Sequence, residues 1–436
     1  MTSSGKHEKA HWNRPNPNAA LMHALGFVNR WFLLRGAPVL RSIPFVRTLP
    51  LGRGYFGVRR LDIPRADLER LERAVNRDTA AFLGPNHPEF GTDWMIDKEI
   101  STLVSPLMAS WADRGIVAAA PGFWGRNNLV ANDGGEDAKN YSIECALRGE
   151  GVLLHPEGTV RWTGDLVHAL FPGIAQMALA AAARTSKPVY IVPLVWKYVF
   201  DGDVSPRAHR EMEMLEHELG LDAHGALDIP HRFLKLQENV LASRMMRFGY
   251  SSADPSASFF ARQAAFQAWI VAELEARHDG ERTGDLDRRI ARVARTIRGK
   301  RTETPKTDRD TRRALRHDME LAEEAKRLGE FSESVYGGPT LTQEHVFESL
   351  KRMRDRLLKR NWRDAVGNML PSPFGLRVAY VGVPEPLRVQ PGDDQDALLT
   401  EARSRMQASL DAINQRVEPQ VARYRINNPF CTAPRT

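Results

Sequence analysis

The sequence predicts an α/β protein that carries a large helical insertion. Two observations lead to this fold class. From residue 79 to 200, short apolar runs alternate with helical segments, which is the pattern of an α/β domain. From about residue 205 to 373, charged segments with helical periodicity follow one another with hardly a strand signal. The chain has 436 residues, which fits two domains or one large domain with an insertion.

The amino-acid composition limits the classes of binding partner and the cellular compartment that we expect. The formal net charge of +7 favours anionic partners such as acidic lipid, nucleic acid or a phosphorylated substrate. Cys145 and Cys431 are the only two cysteines, so we expect neither a disulfide framework nor a cysteine-based zinc site. A cytoplasmic location follows from this cysteine usage.

The N-terminal segment, residues 1–60, is basic and aromatic. Its first 18 residues are polar and lack the apolar core of a signal peptide. Residues 21–40, LMHALGFVNRWFLLRGAPVL, are apolar but interrupted by charges, so they fall short of a membrane span. Two interpretations stay open: a helix packed on the protein's own core, or a helix lying on a membrane. The membrane interpretation would bury Leu21, Phe27, Trp31, Phe32 and Leu33 among the lipids.

The α/β region has four predicted strands and three predicted helices. The strands are AAFLG (80–84), GIVAAA (115–120), GVLLH (151–155) and VYIVPLVW (189–196). The helices lie within residues 95–115, 135–150 and 166–183. The first two of them each end on a glycine, which suits a helix terminus.

The rest of the chain is mostly helical. Helices are predicted over residues 285–300, 310–328 and 343–361. Strand-like alternation returns in LRVAYVGVPEPLRV (376–389), and residues 393–417 predict a final helix.

A loop after the first strand, within GPNHPEFGTDWMIDKEI (84–100), concentrates groups that can move protons. His87 has a side chain that titrates near neutral pH, and a nearby carboxylate would fix its tautomer and stabilise its cation. Four carboxylates, those of Glu89, Asp93, Asp97 and Glu99, lie in this loop and the helix that follows it. Taken alone, a histidine and an aspartate in one loop are more often solvated or helix-capping residues.

Four motifs occur in order along this region. They are NH followed by an aspartate (86–93), FWGR (123–126), HPEGT (155–159) and FPGIAQMALAAAARTSKPVYIVPL (171–194). In order and approximate spacing they resemble the four blocks of the glycerolipid acyltransferase family, whose familiar members acylate lysophosphatidic acid. In that family the first block reads N-H-x-x-x-x-D and the third F-P-E-G-T-R. The resemblance implies a glycerol-phosphate acyltransferase-like fold, a mixed sheet flanked by helices.

The resemblance also implies a role for each site residue. His87 would take the proton of an acceptor hydroxyl while Asp93 orients its ring, without an acyl-enzyme. Arg126 would hold the phosphate of the acceptor. Glu157 and Gly158 would position glycerol hydroxyls. Thr159 completes the third block as a further substrate-binding residue.

The sequence departs from the family blocks in two places. Asp93 lies six residues after His87 where the family has five, so either the loop carries an extra residue or Thr92 has displaced the acid. Val160 stands where the family has arginine, and Arg161 follows one position later. Phosphate binding would then depend on Arg126 and Arg161 together, or the acceptor lacks a phosphate.

The resemblance predicts a divided acyltransferase domain. VGVPEPLRV resembles a late strand of the family, so residues 61–204 and 374–425 would form the catalytic domain and residues 205–373 an insertion. The competing interpretation is a separate C-terminal domain with its own small sheet.

The expected function is that of a 1-acylglycerol-3-phosphate O-acyltransferase-like enzyme. It would use acyl-CoA or an acyl carrier protein thioester as co-substrate and bind no cofactor or metal. It would lie peripherally on membrane lipids at the inner face of the cell membrane, held by residues 21–40 and by basic faces such as RRIARVARTIRGKR (288–301). Two alternatives are a catalytically inactive lipid-binding relative and a basic nucleic-acid-binding protein. Nucleic acid is not expected, because the recognised binding modules with interleaved aromatic residues are missing.

Overall fold

A computed structural model of the protein describes residues 12–37, 52, 54–221, 228–357 and 374–431. By its internal contacts the chain divides into two compact units. The first unit comprises residues 1–202 and 365–419, and the second comprises residues 203–364 and 420–436, each taken over its described part. Residues 420–425, which the sequence analysis assigns to the acyltransferase domain, fall in the second unit. Parts of the predicted N-terminal segment, of the insertion and of the helix over 343–361 lie outside the described residues.

Ten strands form in the described residues. They are β1 (Val58–Asp62), β2 (Ala80–Pro85), β3 (Ala109–Ala112), β4 (Leu129–Ala131), β5 (Val152–Leu153), β6 (Val189–Phe200), β7 (Thr340–Leu341), β8 (Arg377–Gly382), β9 (Leu387–Val389) and β10 (Ile426–Asn427). Eight of them build one mixed sheet in the order β1-β8-β6-β2-β5-β3-β4, with β9 paired to β6. The pairs of β6 with β8 and with β9 are antiparallel and all other neighbours are parallel.

The α-helices are α1 (Ala19–Val28), α2 (Arg65–Ala74), α3 (Thr92–Val104), α4 (Arg114–Ala119), α5 (Pro121–Arg126), α6 (Gly135–Leu147), α7 (Gly173–Ala182), α8 (Ser205–Glu218), α9 (Ile229–Arg247), α10 (Phe259–Arg277), α11 (Leu286–Glu303), α12 (Arg309–Gly329), α13 (Glu333–Tyr336), α14 (Gln343–Leu357) and α15 (Gln395–Val421). A π-helix, Asn29–Leu34, continues directly from α1. The first unit is therefore α/β, as the sequence predicts.

The sheet of the first unit is buried on both faces. Successive side chains of a strand point to opposite faces, and β2 follows this rule. Ala80 and Phe82 belong to one apolar core together with residues of α6 and α7. Ala81 and Leu83 belong to a second core together with residues of α2, α3 and the π-helix. Helices thus cover both faces, as parallel sheets require.

The described part of the apolar stretch, residues 21–37, packs partly on the protein's own core. Met22 and Leu34 are buried, and Leu34 lies in the same core as β1 and α3. Phe27 points away from that core and is 60% exposed. Within the described residues, no helix combines the length and the apolar character needed to cross a membrane.

Three sequence predictions in the α/β region are wrong. The helix predicted over 166–183 begins only at Gly173, as α7. Residues 115–120, predicted as a strand, lie in helix α4 and the turn after it, because the side chain of Asp113 caps the helix by accepting a hydrogen bond from the amide of Gly115. The helix predicted over 95–115 ends at Val104, and β3 follows within that range. The motif FWGR follows the predicted strand at 115–120 in the sequence, and it lies on helix α5.

The late strand predicted at 376–389 belongs to the first unit. It forms β8 and β9, and both pair with β6 in the main sheet. The alternative of a C-terminal domain with its own small sheet is therefore wrong for this segment.

The second unit is helical, with one small sheet in its described part. Its helices α9, α10, α11 and α12 each begin after a serine or aspartate whose side chain accepts a hydrogen bond from a first-turn amide. The strands β7 and β10 form a short antiparallel pair. Aromatic rings pack together in this unit: Phe233, Phe259, Phe260, Phe331 and Phe430.

Candidate active site

The candidate site lies at the carboxyl ends of two neighbouring parallel strands. β2 and β5 pair with Leu83 opposite Leu153. Asn86 and His87 follow β2, and His155 and Glu157 follow β5. Ligands of α/β proteins commonly bind beyond the carboxyl ends of the strands. Because β2 and β5 are adjacent and parallel, the first and third motifs of the sequence meet at this edge.

A longer strand supports the segment after β2. β6 runs parallel to β2 and continues six residues past the partner of Pro85, which is Leu194. The side-chain amide of Asn86 extends the pairing: its Nδ2 donates to the carbonyl of Trp196 (3.0 Å) and its Oδ1 accepts from the Trp196 amide (2.9 Å). Asn86 therefore holds the segment of His87 against the sheet.

His87 and Asp93 form a hydrogen-bonded dyad. The Nδ1 atom of His87 lies 2.8 Å from Oδ2 of Asp93. Three further donors converge on this carboxylate: the amide of Glu89 (2.9 Å), Nε1 of Trp196 (3.0 Å) and the hydroxyl of Tyr198 (2.6 Å). Four donors favour the ionised carboxylate. His87 then donates through Nδ1, which leaves the lone pair of Nε2 for a proton.

The extra residue between His87 and Asp93 is absorbed by the turn before α3. Gly91 has a φ of +71°, in the left-handed region that glycine adopts without strain. Thr92 is buried, and its hydroxyl accepts a hydrogen bond from Arg377 on β8 (3.2 Å). Arg377 also pairs with Glu89 at 2.6 Å. Of the two alternatives left by the sequence, the acid in contact with His87 is Asp93 and not Thr92.

The backbone of His87 is fixed by the loop after β5. Its amide donates to Oε2 of Glu157 (3.1 Å), and its carbonyl accepts from the Arg161 amide (2.9 Å). The other Glu157 oxygen accepts from the amide of His168 (2.8 Å). Glu157 is only 1% exposed. Its carboxylate braces two backbone segments, and this contact geometry differs from the polyol-binding role that the resemblance implies.

Gly158 and Thr159 form the outer part of the same loop. Gly158 is exposed with a φ of +70°, and a Cβ atom there would lie 2.7 Å from the ring of Phe171. Thr159 is half-buried. Trp162 has a φ of +53°, a strained conformation for a bulky side chain. This loop is thus held in an unusual backbone path beside the dyad.

The two arginines predicted to bind phosphate lie in different surroundings. Arg161 is only 7% exposed, and its Nε atom finds no hydrogen-bond partner among the described residues. Arg126 is exposed at the last position of α5. A buried guanidinium without a partner is costly, so Arg161 is the better candidate for an anion site.

A second histidine lies directly on the first. The rings of His87 and His155 stack with centroids 3.9 Å apart and planes inclined by 14°. Nδ1 of His155 lies 2.9 Å from the carbonyl oxygen of Asn86, and its Nε2 lies 3.0 Å from Oδ2 of Asp97. The site therefore contains two stacked histidine–aspartate pairs.

Burial and charge shift the pKa values of these groups in different directions. Burial first, and then the charge of His155, hold the pKa of His87 well below 6.5. Burial raises the pKa of Asp93 to about 7, although the charge of His155 and hydrogen bonds from Tyr198 and the Glu89 amide oppose the rise. Burial alone would lower the pKa of His155, but the charge and hydrogen bond of Asp97 raise it to about 9.

An apolar cavity lies on the other side of Asp97. Its volume is about 270 Å³. Apolar and aromatic side chains dominate the lining, among them Leu25, Leu33, Trp94, Trp111, Phe123 and Trp124. The polar side chains at the cavity include Asp97 and Lys98, and burial lowers the pKa of Lys98 to about 8.

Three residues of the site were missed by sequence reasoning. His155 has a signal in the sequence, since HPEGT carries a histidine where the family reads F-P-E-G-T-R. Trp196 and Tyr198 have none, because they contact Asp93 from a strand more than 100 residues away in the chain. Within the described residues no group of His, Cys, Asp and Glu side chains is arranged to hold a metal ion.

No protein-family model matches the chain, and no curated protein matches it. The functional conclusion therefore depends on the geometry of the site and on the short motifs that form it.

Proposed function

We propose that the protein is an acyltransferase that moves a fatty acyl group from an acyl thioester to a hydroxyl of a lysophospholipid or related glycerolipid. The carrier of the thioester would be coenzyme A or acyl carrier protein. One observation carries the proposal: among the described residues, neither Nε2 of His87 nor Nε of the buried Arg161 has a hydrogen-bond partner, and the Arg161 amide binds the carbonyl of His87. A base next to an anion site suits a hydroxyl acceptor that bears a phosphate.

The reaction would proceed in one displacement. Nε2 of His87 removes the proton of the acceptor hydroxyl as the oxygen attacks the thioester carbonyl. Asp93 stabilises the imidazolium that forms. The tetrahedral intermediate expels the thiolate, which takes the proton back from His87. An ester bond replaces the thioester bond, the thiol is released, and no covalent intermediate with the protein is needed.

The anion site would orient the acceptor. The backbone amide of Arg161 contacts the backbone of His87, so the guanidinium is tied to the segment that carries the base. An arginine can grip a phosphate by two parallel hydrogen bonds. Binding the phosphate there would place the glycerol hydroxyls near His87, and positioning of this kind supplies much of the rate.

The apolar cavity supports a long-chain substrate. It adjoins Asp97, whose partner His155 stacks on the proposed base. Pockets for apolar ligands are lined in this way, with few polar groups among aromatic ones. The sheet with helices on both faces also agrees in outline with the acyltransferase-like fold that the resemblance implies.

Peripheral contact with membrane lipids would give access to such substrates. The first unit exposes large apolar side chains at the ends of α1 and α3, on α5 and just before α7: Phe27, Val28, Leu103, Phe123 and Phe171. Phe123 also lines the cavity. Exposed apolar residues near a ligand cavity are typical of a membrane-contacting surface.

The basic run on α11 offers fewer free charges than its sequence indicates. Arg289 pairs with Glu275 and Arg292 with Glu281. Arg295 and Arg298 are exposed and form no ion pair with any described residue. We therefore assign this face a secondary part in lipid binding.

The test is turnover with matched acceptors. The full chain is incubated with long-chain acyl-CoA or acyl carrier protein thioester and either lysophosphatidic acid or the monoacylglycerol of the same chain length. We expect a diacyl product, formed faster from the phosphorylated acceptor, and a preference that collapses in Arg161→Met. Lipid binding without turnover of any acyl thioester would favour the inactive lipid-binding relative and refute the enzyme.

A further inference from the structure

The hydrogen bonds of His155 define its charge. A carbonyl oxygen can only accept, so the contact of Nδ1 with the carbonyl of Asn86 requires a proton on Nδ1. The contact of Nε2 with the carboxylate of Asp97 requires a proton on Nε2 when that acid is ionised. An imidazole that donates through both nitrogens is a cation.

This cation is held in a fixed place. His155 stacks on His87 with ring centroids 3.9 Å apart. The ring centroids of His155 and Trp196 lie 5.8 Å apart, and the planes of these two rings are inclined by 89°. Both of its nitrogens are engaged by the protein, so neither is free for a substrate proton. Whatever His155 does to the reaction, it does through His87.

Two stacked imidazoles at this distance do not readily carry a positive charge together. Like charges a few ångströms apart in a buried site disfavour the second ionisation. Because Asp97 and the Asn86 carbonyl fix the charge on His155, the proton is disfavoured on His87.

We propose that His155, charged by its contact with Asp97, is a positioning residue that fixes the ring of His87 by stacking and keeps the proposed base free of its proton. The inference rests on the proposed function, since it assigns His87 the part of base. It extends that function by giving the site a built-in cation that sets the pH range of the reaction.

The other charged groups around the dyad come from every element packed against it. Asp93 and Asp97 lie on α3, and the loop after β5 contributes Glu157 and Arg161. The turn before α3 and strands β6 and β8 contribute Glu89, Tyr198 and Arg377. Of these, Asp97 and Glu157 favour a proton on His87, whereas burial, His155 and Arg161 oppose it and lower its pKa on balance. The charge of His155 also lowers the pKa of Asp93, so the dyad as a whole takes up a proton less readily.

The experiment compares His155→Phe with Asp97→Asn. Phenylalanine keeps a flat ring for stacking but removes the charge; asparagine keeps an acceptor for Nε2 but weakens the hold on the proton. The acidic limb of the kcat/KM profile for acyl transfer is expected to move to higher pH by about one unit in His155→Phe and by less in Asp97→Asn. Activity at high pH should fall far less than activity at low pH.

A spectroscopic readout separates this inference from the proposed function. In the full chain labelled with ¹⁵N-histidine, we expect His155 at pH 7 to carry protons on both ring nitrogens and His87 to carry one, on Nδ1. In His155→Phe, His87 should take up its second proton at higher pH than in the wild type.

These measurements distinguish failure of the inference about His155 from failure of the proposed function. A neutral His155 at pH 7, or an unchanged titration of His87 in both variants, would overturn the inference even if the protein transfers acyl groups. The expected ring protonation in a chain that shows no acyl transfer would leave the charge of His155 established while removing the proposed function. If His155→Phe does not fold, Asp97→Asn and the wild-type spectrum still decide the question.

Discussion

Both units bury histidine–aspartate contacts, and the His87–Asp93 pair of the first unit differs from the His278–Asp318 pair of the second in the partner of the other ring nitrogen. In the first unit, His87 donates to Asp93 through Nδ1, and its Nε2 has no hydrogen-bond partner in the part of the chain that the structure describes. In the second unit, Nε2 of His278 lies 2.9 Å from Asp318, and Nδ1 lies 3.3 Å from the ammonium of Lys300. Asp318 is also paired with Arg277 at 2.8 Å.

The contrast shows that a buried histidine–aspartate contact is not by itself a catalytic feature. An ammonium group only donates, so the lone pair of His278 is already used inside the protein. His278 therefore ties α10 to α11 and α12, whereas His87 keeps one nitrogen for chemistry. The free nitrogen, and not the acid, distinguishes the proposed base.

Loss of the two imidazoles should have opposite effects. His87→Asn retains a donor for Asp93 but removes the acceptor at Nε2, so acyl transfer is expected to fall by on the order of a hundredfold or more. His278→Gln retains a donor for Asp318 and should leave the rate unchanged while lowering the melting temperature. Steady-state rates and thermal denaturation of both variants check this. Equal activity in the two variants would contradict the distinction.

The buried arginines should also respond in opposite ways. Arg232 in the second unit forms a two-point ion pair with Glu216 at 2.9 and 2.8 Å. Arg232→Met strands a buried carboxylate and is expected to cost about 3–5 kcal/mol of unfolding free energy. Arg161→Met removes a guanidinium whose Nε lacks a described partner, so it should be at least as stable as the wild type.

Activity provides the second half of that comparison. Arg161→Met should raise the KM of the acceptor and leave the KM of the thioester nearly unchanged, and the exposed Arg126→Ala should have a smaller effect. Denaturant unfolding measures the stability of these variants, and acceptor kinetics measure their activity. A strongly destabilised Arg161→Met would mean that this arginine has a structural partner.

The pH dependence of kcat/KM should be set by groups of the first unit alone. Burial raises the pKa of Asp93 to about 7, so the ionised carboxylate that supports His87 is present above that pH and is lost below it. We expect kcat/KM to fall about tenfold per unit as the pH drops below 7. The same profile should appear in His278→Gln. A flat profile between pH 5 and 8 would place the working protonation step elsewhere.

The smallest expected effect concerns the exposed apolar residues. Phe27 is 60% exposed in the first unit and Met246 is 79% exposed in the second. Phe27→Ser should weaken binding to sedimenting anionic vesicles by about tenfold or more, because burial of a large apolar side chain contributes about 1.5–3 kcal/mol. Met246→Ser is the matched control and should bind as the wild type does. Equal loss in both variants would remove the assignment of the membrane face.

The strands and helices could be predicted where periodicity was long and unambiguous. β2, β6, α11 and α12 are examples, with sequence boundaries close to the observed ones. The run at 115–120 was misassigned because a short apolar run fits a strand or a helix equally well. Alanines and a capping aspartate decided for the helix there.

The candidate site could be predicted only in its local part. His87 and Asp93 lie close in sequence, and the resemblance of their motif to the first family block indicated the pair, although the spacing left Thr92 as an alternative to the acid. The partner of His155 is 58 residues away, so only the parallel pairing of β2 with β5 brings His155 to Asp97. The contacts of Glu157 with the amides of His87 and His168 could not be predicted either. The motif HPEGT is the same whether its glutamate binds substrate or holds two loops together.

The side chain of Asn86 ties the segment of the proposed base to strand β6. Pro85 has no amide proton to donate, yet the pairing with β6 continues beyond it. The backbone amide of Asn86 donates to the Leu194 carbonyl, and the side-chain amide of Asn86 takes the place of a backbone unit opposite Trp196. The segment carrying His87 is thus hydrogen-bonded to the sheet as a strand would be, and we expect the Trp196 amide to be among the slowest to exchange with deuterium. The entropy lost in aligning the base is lost once, when the sheet forms, and does not recur with each turnover.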